Sequence, residues 1–323
     1  MGLIGVLLVL VAGAPASAKI PADRIATTEA ADGALVFHHL KRYEPAIDVL
    51  SQEGPPVLRR VESTLGLDNM PPIDVWVLPK VSDYFEFHEI DGGAPKWAVG
   101  LSFSAQHRII VAHGGQRAPN EVMQTFSHEL AHVAVDHARD RGGSSAPVPR
   151  WFNEGFSVMV ADQWTPERSE RLSQAASGGG LKSFDELWDR FPAHHMSASL
   201  AYDQSFHFVR WLESEHGDDL WARVTQRIRE GQSFRDALEA ETGSSFAALE
   251  AYWRDSLSSS SSFWSILRDD FTIFFGAAVL FIIAFLVARR RRKRQFESME
   301  DEDADDLGYD ASRYPLPGQE QPE

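Results

Sequence analysis

Apolar side chains recur with helical spacing between residues 30 and 67, at Phe37, Leu40, Ile47, Leu50 and Leu58, a pattern interrupted by Pro45 and by Gly54-Pro55-Pro56. The period then shortens. Pro72-Ile73-Asp74-Val75-Trp76-Val77-Leu78 alternates as a strand does, with prolines bounding it. Two more strands are predicted, over 97–103 after the turn-rich Asp91-Gly92-Gly93-Ala94-Pro95, and over 108–112 before Gly114-Gly115. A long helix opens near Asn120, and Val122, Phe126, Leu130 and Val133 supply its apolar surface. Beyond Pro149 the spacing is mostly helical. The segment WFNEGFSVMVAD follows that proline, and SFDELWDRF has Ser183 as N-cap with Glu186 closing a capping box. ASLAYDQSFHFVRWLESEH ends at Gly217, a C′ glycine, and three shorter helical segments continue to Leu257. The chain thus reads as α+β: an N-terminal helical region over 19–68, then one domain over 69–255 with a small sheet, a long helix packed on it and a mainly helical C-terminal part.

The ends follow other rules. Residues 3–12 form a short apolar run, followed by Gly13, Pro15 and Ala16-Ser17-Ala18. That is the pattern of a signal peptide over 1–18, with the mature chain starting near Lys19. A short N-terminal anchor is the competing reading, but a span needs roughly 20 residues. At the other end, residues 271–288 contain no charge and lie between Phe263-Trp264 and six consecutive cations, Arg289 to Arg294. A transmembrane helix with its cytoplasmic side at the basic cluster explains this arrangement, and a buried core helix does not. Over 256–262 a Ser-rich linker joins the domain to that span. The expected topology is an extracytoplasmic domain, a single span through the cell membrane, and a cytoplasmic tail over 289–323.

Composition refines this picture in three ways. With 323 residues, 43% hydrophobic and 24% charged, the chain is a folded protein. The net charge of −16 is uneven, because seven acids fall in 297–306, in a disordered tail that is a candidate for a cytosolic partner. No basic stripe points to nucleic acid. The chain has no cysteine, so any metal site must be built from His, Asp and Glu.

The segment TFSHELAHVAVDH, residues 125–137, fits that requirement. On a helix His128 and His132 lie on one face and can aim their imidazoles at one ion, and Glu129 is angled toward water bound beside it. An ordinary surface helix bearing histidines is the alternative. Past a Gly/Ser-rich loop (Gly142-Gly143-Ser144-Ser145) stands Glu154, in PRWFNEGF. A second helix starting near Pro149, with Trp151 and Phe152 wedged on the core, can bring that carboxylate to the same ion and complete a His₂Glu set.

HELAH followed by WFNEGFS resembles the gluzincin zinc metallopeptidases, the peptidase MA-like group related to thermolysin and the M1 aminopeptidases. SLAYDQSFHFVRWL and GQSFRDALEAETGSSFAALEAYWRD are similar to the helical C-terminal part of those domains, so the resemblance covers about residues 70–255. It implies a zincin-like fold and one zinc ion per chain held by His128, His132 and Glu154. Glu129 becomes the general base for water attack on a peptide bond. Tyr202 is the candidate donor to the oxyanion, with His194, His195 and His207 as weaker candidates. Asp136 either orients a ligand imidazole or is a solvated acid; His113 and His137 are bystanders. Residues 97–100 precede the helix where such enzymes have an edge strand that pairs with substrate backbone.

The function so implied is a membrane-anchored zinc metallopeptidase acting on protein or peptide substrates. No G-x-M-E-N-type segment precedes HELAH to anchor a substrate amine, which favours an endopeptidase. A non-catalytic binding or sensor module signalling through the span is the alternative from another class. A zinc hydrolase acting on a non-peptide bond is a third.

Overall fold

A computed structural model describes residues 20–91, 93–94, 98–114, 117–141 and 147–258. The signal peptide, Trp97, the glycines and serines of 142–145, the serine tract from 259, the stretch 271–288 and the basic and acidic tail lie outside the described residues. Among the described residues no helix is long and apolar enough to cross a membrane.

The N-terminal region departs from its helical reading. β1 (Ile25–Glu29) and β2 (Leu35–Leu40) form an antiparallel hairpin. Its turn contains Asp32-Gly33, with Gly33 at φ 69° and the Ala30 N–H donating to the Leu35 carbonyl at 2.9 Å. Aspartate-glycine is a strong hairpin signal, because glycine enters the left-handed region without steric cost. Phe37 and Leu40 happen to sit three apart, which mimics a helix, yet Leu35, Phe37 and His39 are the residues buried in alternation. Helix α1 (Glu44–Leu65) begins only afterwards and runs through Pro55 and Pro56 without a break. The two carbonyls deprived of partners belong to Ser51 and Gln52, which are half-exposed and exposed, within reach of solvent.

β3 (Ile73–Leu78), α2 (Ser82–His88), β4 (Gly100–Phe103) and β5 (Arg108–Ala112) follow. The five strands form one sheet in the order β1-β2-β3-β5-β4, with β2, β3 and β5 parallel and both outer strands antiparallel to their neighbours. The hairpin is therefore part of the same sheet as the later strands. One face carries Leu35, Phe37, Ile73, Val75, Val77, Ile109 and Val111, all fully buried. It packs under α1 and α3 (Pro119–Arg141). A Cβ on Gly54 of α1 would come within 2.9 Å of Leu35 and 3.3 Å of Phe126 on α3, so this glycine lets the three elements close together. The opposite face carries Trp76, Leu78, Ile110 and Ala112 and is covered by Val81 and Tyr84.

The C-terminal part is helical as expected: α4 (Arg150–Val160), α5 (Pro166–Ser177), α6 (His195–His216), α7 (Leu220–Arg229), α8 (Phe234–Thr242) and α9 (Phe246–Ser258). Its core surrounds Trp151, whose ring lies 5.1–5.8 Å from those of Phe208, Phe184, Phe234 and Phe246. Asp203, fully buried on α6, accepts from Arg168 at 3.3 Å and Arg171 at 2.5 Å, both on α5. The capping box at Ser183 forms, with the Glu186 N–H 3.2 Å from Ser183 Oγ, but it closes only a turn. There the Trp188 carbonyl accepts the Arg150 N–H at 2.7 Å, so the turn serves as a support for the start of α4.

His207 belongs to this core and not to a reaction centre. It is 3% exposed, its Nδ1 accepts from Trp253 Nε1 at 2.9 Å, and burial pushes its pKa down to about 4. Because the folded state disfavours the imidazolium, stability is full above pH 6.5 and is lost as pH falls toward 4, by about 3 kcal/mol in total. Denaturant titrations across that window should show this slope. In His207→Gln, which keeps an acceptor for Trp253, the slope should be reduced.

Candidate active site

The site is assembled from α3, α4, α6 and β4. On α3 the buried face is the one expected, with Val122, Phe126, Leu130 and Val133 at 0% exposure. That packing leaves His128 and His132, one turn apart, turned toward α4. Their Nε2 atoms face each other at 3.2 Å. Glu154 Oε2 lies 3.7 Å from His128 Nε2 and 3.6 Å from His132 Nε2. One donor atom from each of the three falls within 4.8 Å of the others.

The protonation pattern follows from the neighbours. Asn153 Oδ1 lies 2.7 Å from His132 Nδ1. Ser157 Oγ lies 3.2 Å from the same nitrogen and spends its own proton on the Asn153 carbonyl, at 2.8 Å. Both oxygens accept, so Nδ1 carries a hydrogen and Nε2 is the nitrogen turned toward His128 and Glu154. Three Lewis bases thus converge on one point. Two imidazole nitrogens and a carboxylate, with no sulfur, are a donor set that fits zinc. Burial works to raise the Glu154 pKa, but hydrogen bonding to His128 and the charges of His132, His128 and Arg150 hold it below the usual carboxylate range.

Glu129 sits beside this triad, facing β4. Burial raises its pKa, opposed by His132 and by a hydrogen bond with Ser102, with Glu154 adding to the rise. Gly100 makes room for it: a Cβ there would lie 2.5 Å from Glu129 Oε1 and 2.8 Å from its Cγ. Gly100 and Ser102 pair with Val111 and Ile109 in the sheet register, so both point to the α3 side. Of the strand predicted over 97–103, Gly100–Phe103 is seen, so of the edge-strand candidates 97–100 Gly100 lies in it; the Ala112 N–H donates to the Val99 carbonyl at 2.9 Å.

Tyr202 comes in from α6. Its pKa is pushed up to about 12, chiefly by burial and by Glu154, against the charge and hydrogen bond of Arg150, with Glu129 adding to the rise. At neutral pH its hydroxyl keeps its proton. Arg150 Nη2 also lies 3.1 Å from Glu154 Oε1.

His128, Glu129, His132, Glu154 and Tyr202 are thus brought together. Other candidates lie elsewhere. His194 and His195 are exposed at the start of α6, two turns before Tyr202. Asp136 pairs with Arg139 at 3.3 Å, and Asn153 and Ser157 hold the His132 ring instead. His113 packs against Tyr43, and His137 Nδ1 lies 3.1 Å from His107 Nε2. Sequence reasoning missed Gly100, Ser102, Arg150 and Ser157. Arg150 stands four residues before Glu154, a spacing that signals an ion pair on a helix. Ser102 and Gly100 carry no local signal.

Gly155 completes the arrangement. A Cβ there would lie 2.5 Å from the Ser205 carbonyl oxygen, so α4 and α6 touch backbone to backbone at this point. Pro149 is the N-cap, one position before the helix, and its carbonyl accepts the Phe152 and Asn153 N–H groups at 3.1 Å.

The sequence model of the Peptidase MA superfamily matches residues 57–259, and the chain belongs to that superfamily. The match begins inside α1, so the hairpin β1–β2 precedes the matched segment while sharing its sheet. No curated protein sequence matches the chain.

Replacing Asn153 by Ala removes the closest acceptor on His132 Nδ1. The expected result is a fall in zinc affinity of about 10–100-fold, measured by competition with a chromophoric chelator. Unchanged affinity would show that Ser157 alone holds the ring.

Proposed function

We propose that this chain is a membrane-anchored, extracytoplasmic zinc metallopeptidase of the gluzincin type that hydrolyses peptide bonds, with internal bonds favoured. The observation that carries the reading is the convergence of two imidazole Nε2 atoms and one carboxylate oxygen beside a separate, half-buried glutamate. His128, His132 and Glu154 would hold one zinc ion, which supplies Lewis-acid activation of water and of the scissile carbonyl.

The protein's own groups perform the rest. The Glu129 carboxylate takes the proton of the attacking water and delivers it to the departing amine nitrogen. Burial raises its pKa, which makes the carboxylate a readier proton acceptor than one in water. The Tyr202 hydroxyl, protonated at neutral pH, donates to the oxygen on which charge develops. β4 is an outer strand of the sheet next to Glu129; among the described residues no strand pairs with its outer edge, which offers backbone groups to an extended substrate. Anchoring follows from the apolar stretch 271–288 and its flanking cations, and export from residues 1–18. The absence of a G-x-M-E-N-type segment supports attack on internal bonds.

The full chain, purified in detergent without chelator, should contain about one zinc per molecule by elemental analysis. Glu129→Ala should keep that metal and lower kcat on unfolded protein substrates by ~10²–10⁴-fold. A folded chain that takes up no zinc would overturn the reading. Zinc bound without hydrolysis by the unaltered chain would favour a non-catalytic module.

A further inference from the structure

We infer that Arg150 is a positioning residue with two partners: it turns Glu154 so that a single carboxylate oxygen faces the imidazoles, and it holds the Tyr202 hydroxyl as a donor toward the cleft. The inference rests on the metallopeptidase reading and extends it to a residue with no direct part in ligation.

Glu154 divides its two oxygens. Oε1 lies 3.1 Å from Arg150 Nη2, one helical turn earlier on α4, while Oε2 is the atom nearest His128 and His132. A carboxylate free to rotate could offer either oxygen or both; the guanidinium occupies one and commits the other. Arg150 also lies near enough to the Tyr202 side chain to oppose the rise of its pKa, and the Phe191 ring lies against both. A guanidinium has five N–H donors and no acceptor, so toward Arg150 the phenolic oxygen can only accept. The phenol's own hydrogen is then left for another acceptor, which is the orientation an oxyanion donor needs.

Two further contacts fix the arginine. Its backbone N–H donates to the Trp188 carbonyl at 2.7 Å. Its guanidinium carbon lies 5.4 Å from the centre of the Phe191 ring, and that ring meets Tyr202 edge-on at 5.0 Å. Phe191 thus flanks both the guanidinium and the phenol, setting an arginine of α4 beside a tyrosine of α6. Lysine cannot reproduce this. Its ammonium is a compact charge without a planar fork, so it can neutralise Glu154 but cannot hold both partners in fixed directions.

The test uses the full chain with Arg150→Met and Arg150→Lys, each alone and combined with Tyr202→Phe. Zinc affinity is read by chelator competition, and steady-state kinetics on an unfolded protein are measured at saturating zinc. Arg150→Met should weaken zinc by about 10–100-fold and lower kcat with little change in KM. Arg150→Lys should recover most of the zinc affinity but not kcat. In the Tyr202→Phe background, Arg150→Met should still weaken zinc yet cost no further kcat, because the group it positions is gone. Zinc affinity unchanged in Arg150→Met overturns the inference without need of any substrate. So do kcat losses that multiply in the double variant, or full kcat in Arg150→Lys, which also carries the test if the Met variant does not fold. Failure of the metallopeptidase reading shows separately, as no zinc in the unaltered chain or full activity in Glu129→Ala.

Discussion

A carboxylate buried between two helices constrains everything placed around it. Glu154 is only 8% exposed, and a charge held there without partners would cost several kcal/mol. Helix α4 can therefore dock on α3 only where cationic or hydrogen-bonding groups meet that carboxylate. His128 and His132 supply them from α3, and Arg150 supplies another from α4 itself. The same three contacts that make the burial tolerable gather two imidazoles and a carboxylate at one point. Stability and site construction are here a single requirement.

Helical geometry lets α4 meet several demands within eight residues. Asn153 and Ser157, four apart, both reach His132 Nδ1. Arg150 and Glu154, also four apart, pair on the adjacent face. Trp151 points away into an aromatic core, and Gly155 removes the side chain that would separate α4 from α6. The close approach matters because Tyr202 stands on α6, held in place next to it by the clamp of Arg168 and Arg171 on Asp203. A wider spacing between these helices would carry the phenol away from Glu154.

The sheet contributes by register. β5 pairs with β4 so that Gly100 and Ser102, two apart, share the side that faces α3. One provides space for Glu129 and the other a hydrogen bond, and a slip of one residue would send both to the opposite face. Leu101 and Phe103, on the other face of β4, resist that slip, because they pack against the cluster of Trp76, Tyr84 and Ile110 and would be turned away from it. The outer antiparallel strand is thus held beside α3 by side chains on its opposite face.

The sequence by itself determined the local features whose physical cause lies within a few residues. The spacing of His128, Glu129 and His132, the long helix that bears them, the strand at Ile73–Leu78 and the stop at Gly217 were all legible, because periodicity and capping act at short range. Glu154 could be proposed from its motif, and the superfamily match agrees with that context. The hairpin at Ile25–Leu40 was hidden by a chance helical spacing of Phe37 and Leu40, although Asp32-Gly33 marked its turn. At Ser183 the capping box was readable, but Pro192 has no N–H for the Trp188 carbonyl, and the Arg150 N–H from α4 bonds it instead. Ser102, Gly100 and the pairing of Arg150 with Tyr202 were decided only by tertiary structure. They join residues far apart in the chain, and no local pattern records which side chains a sheet edge and a helix crossing will bring within hydrogen-bond reach.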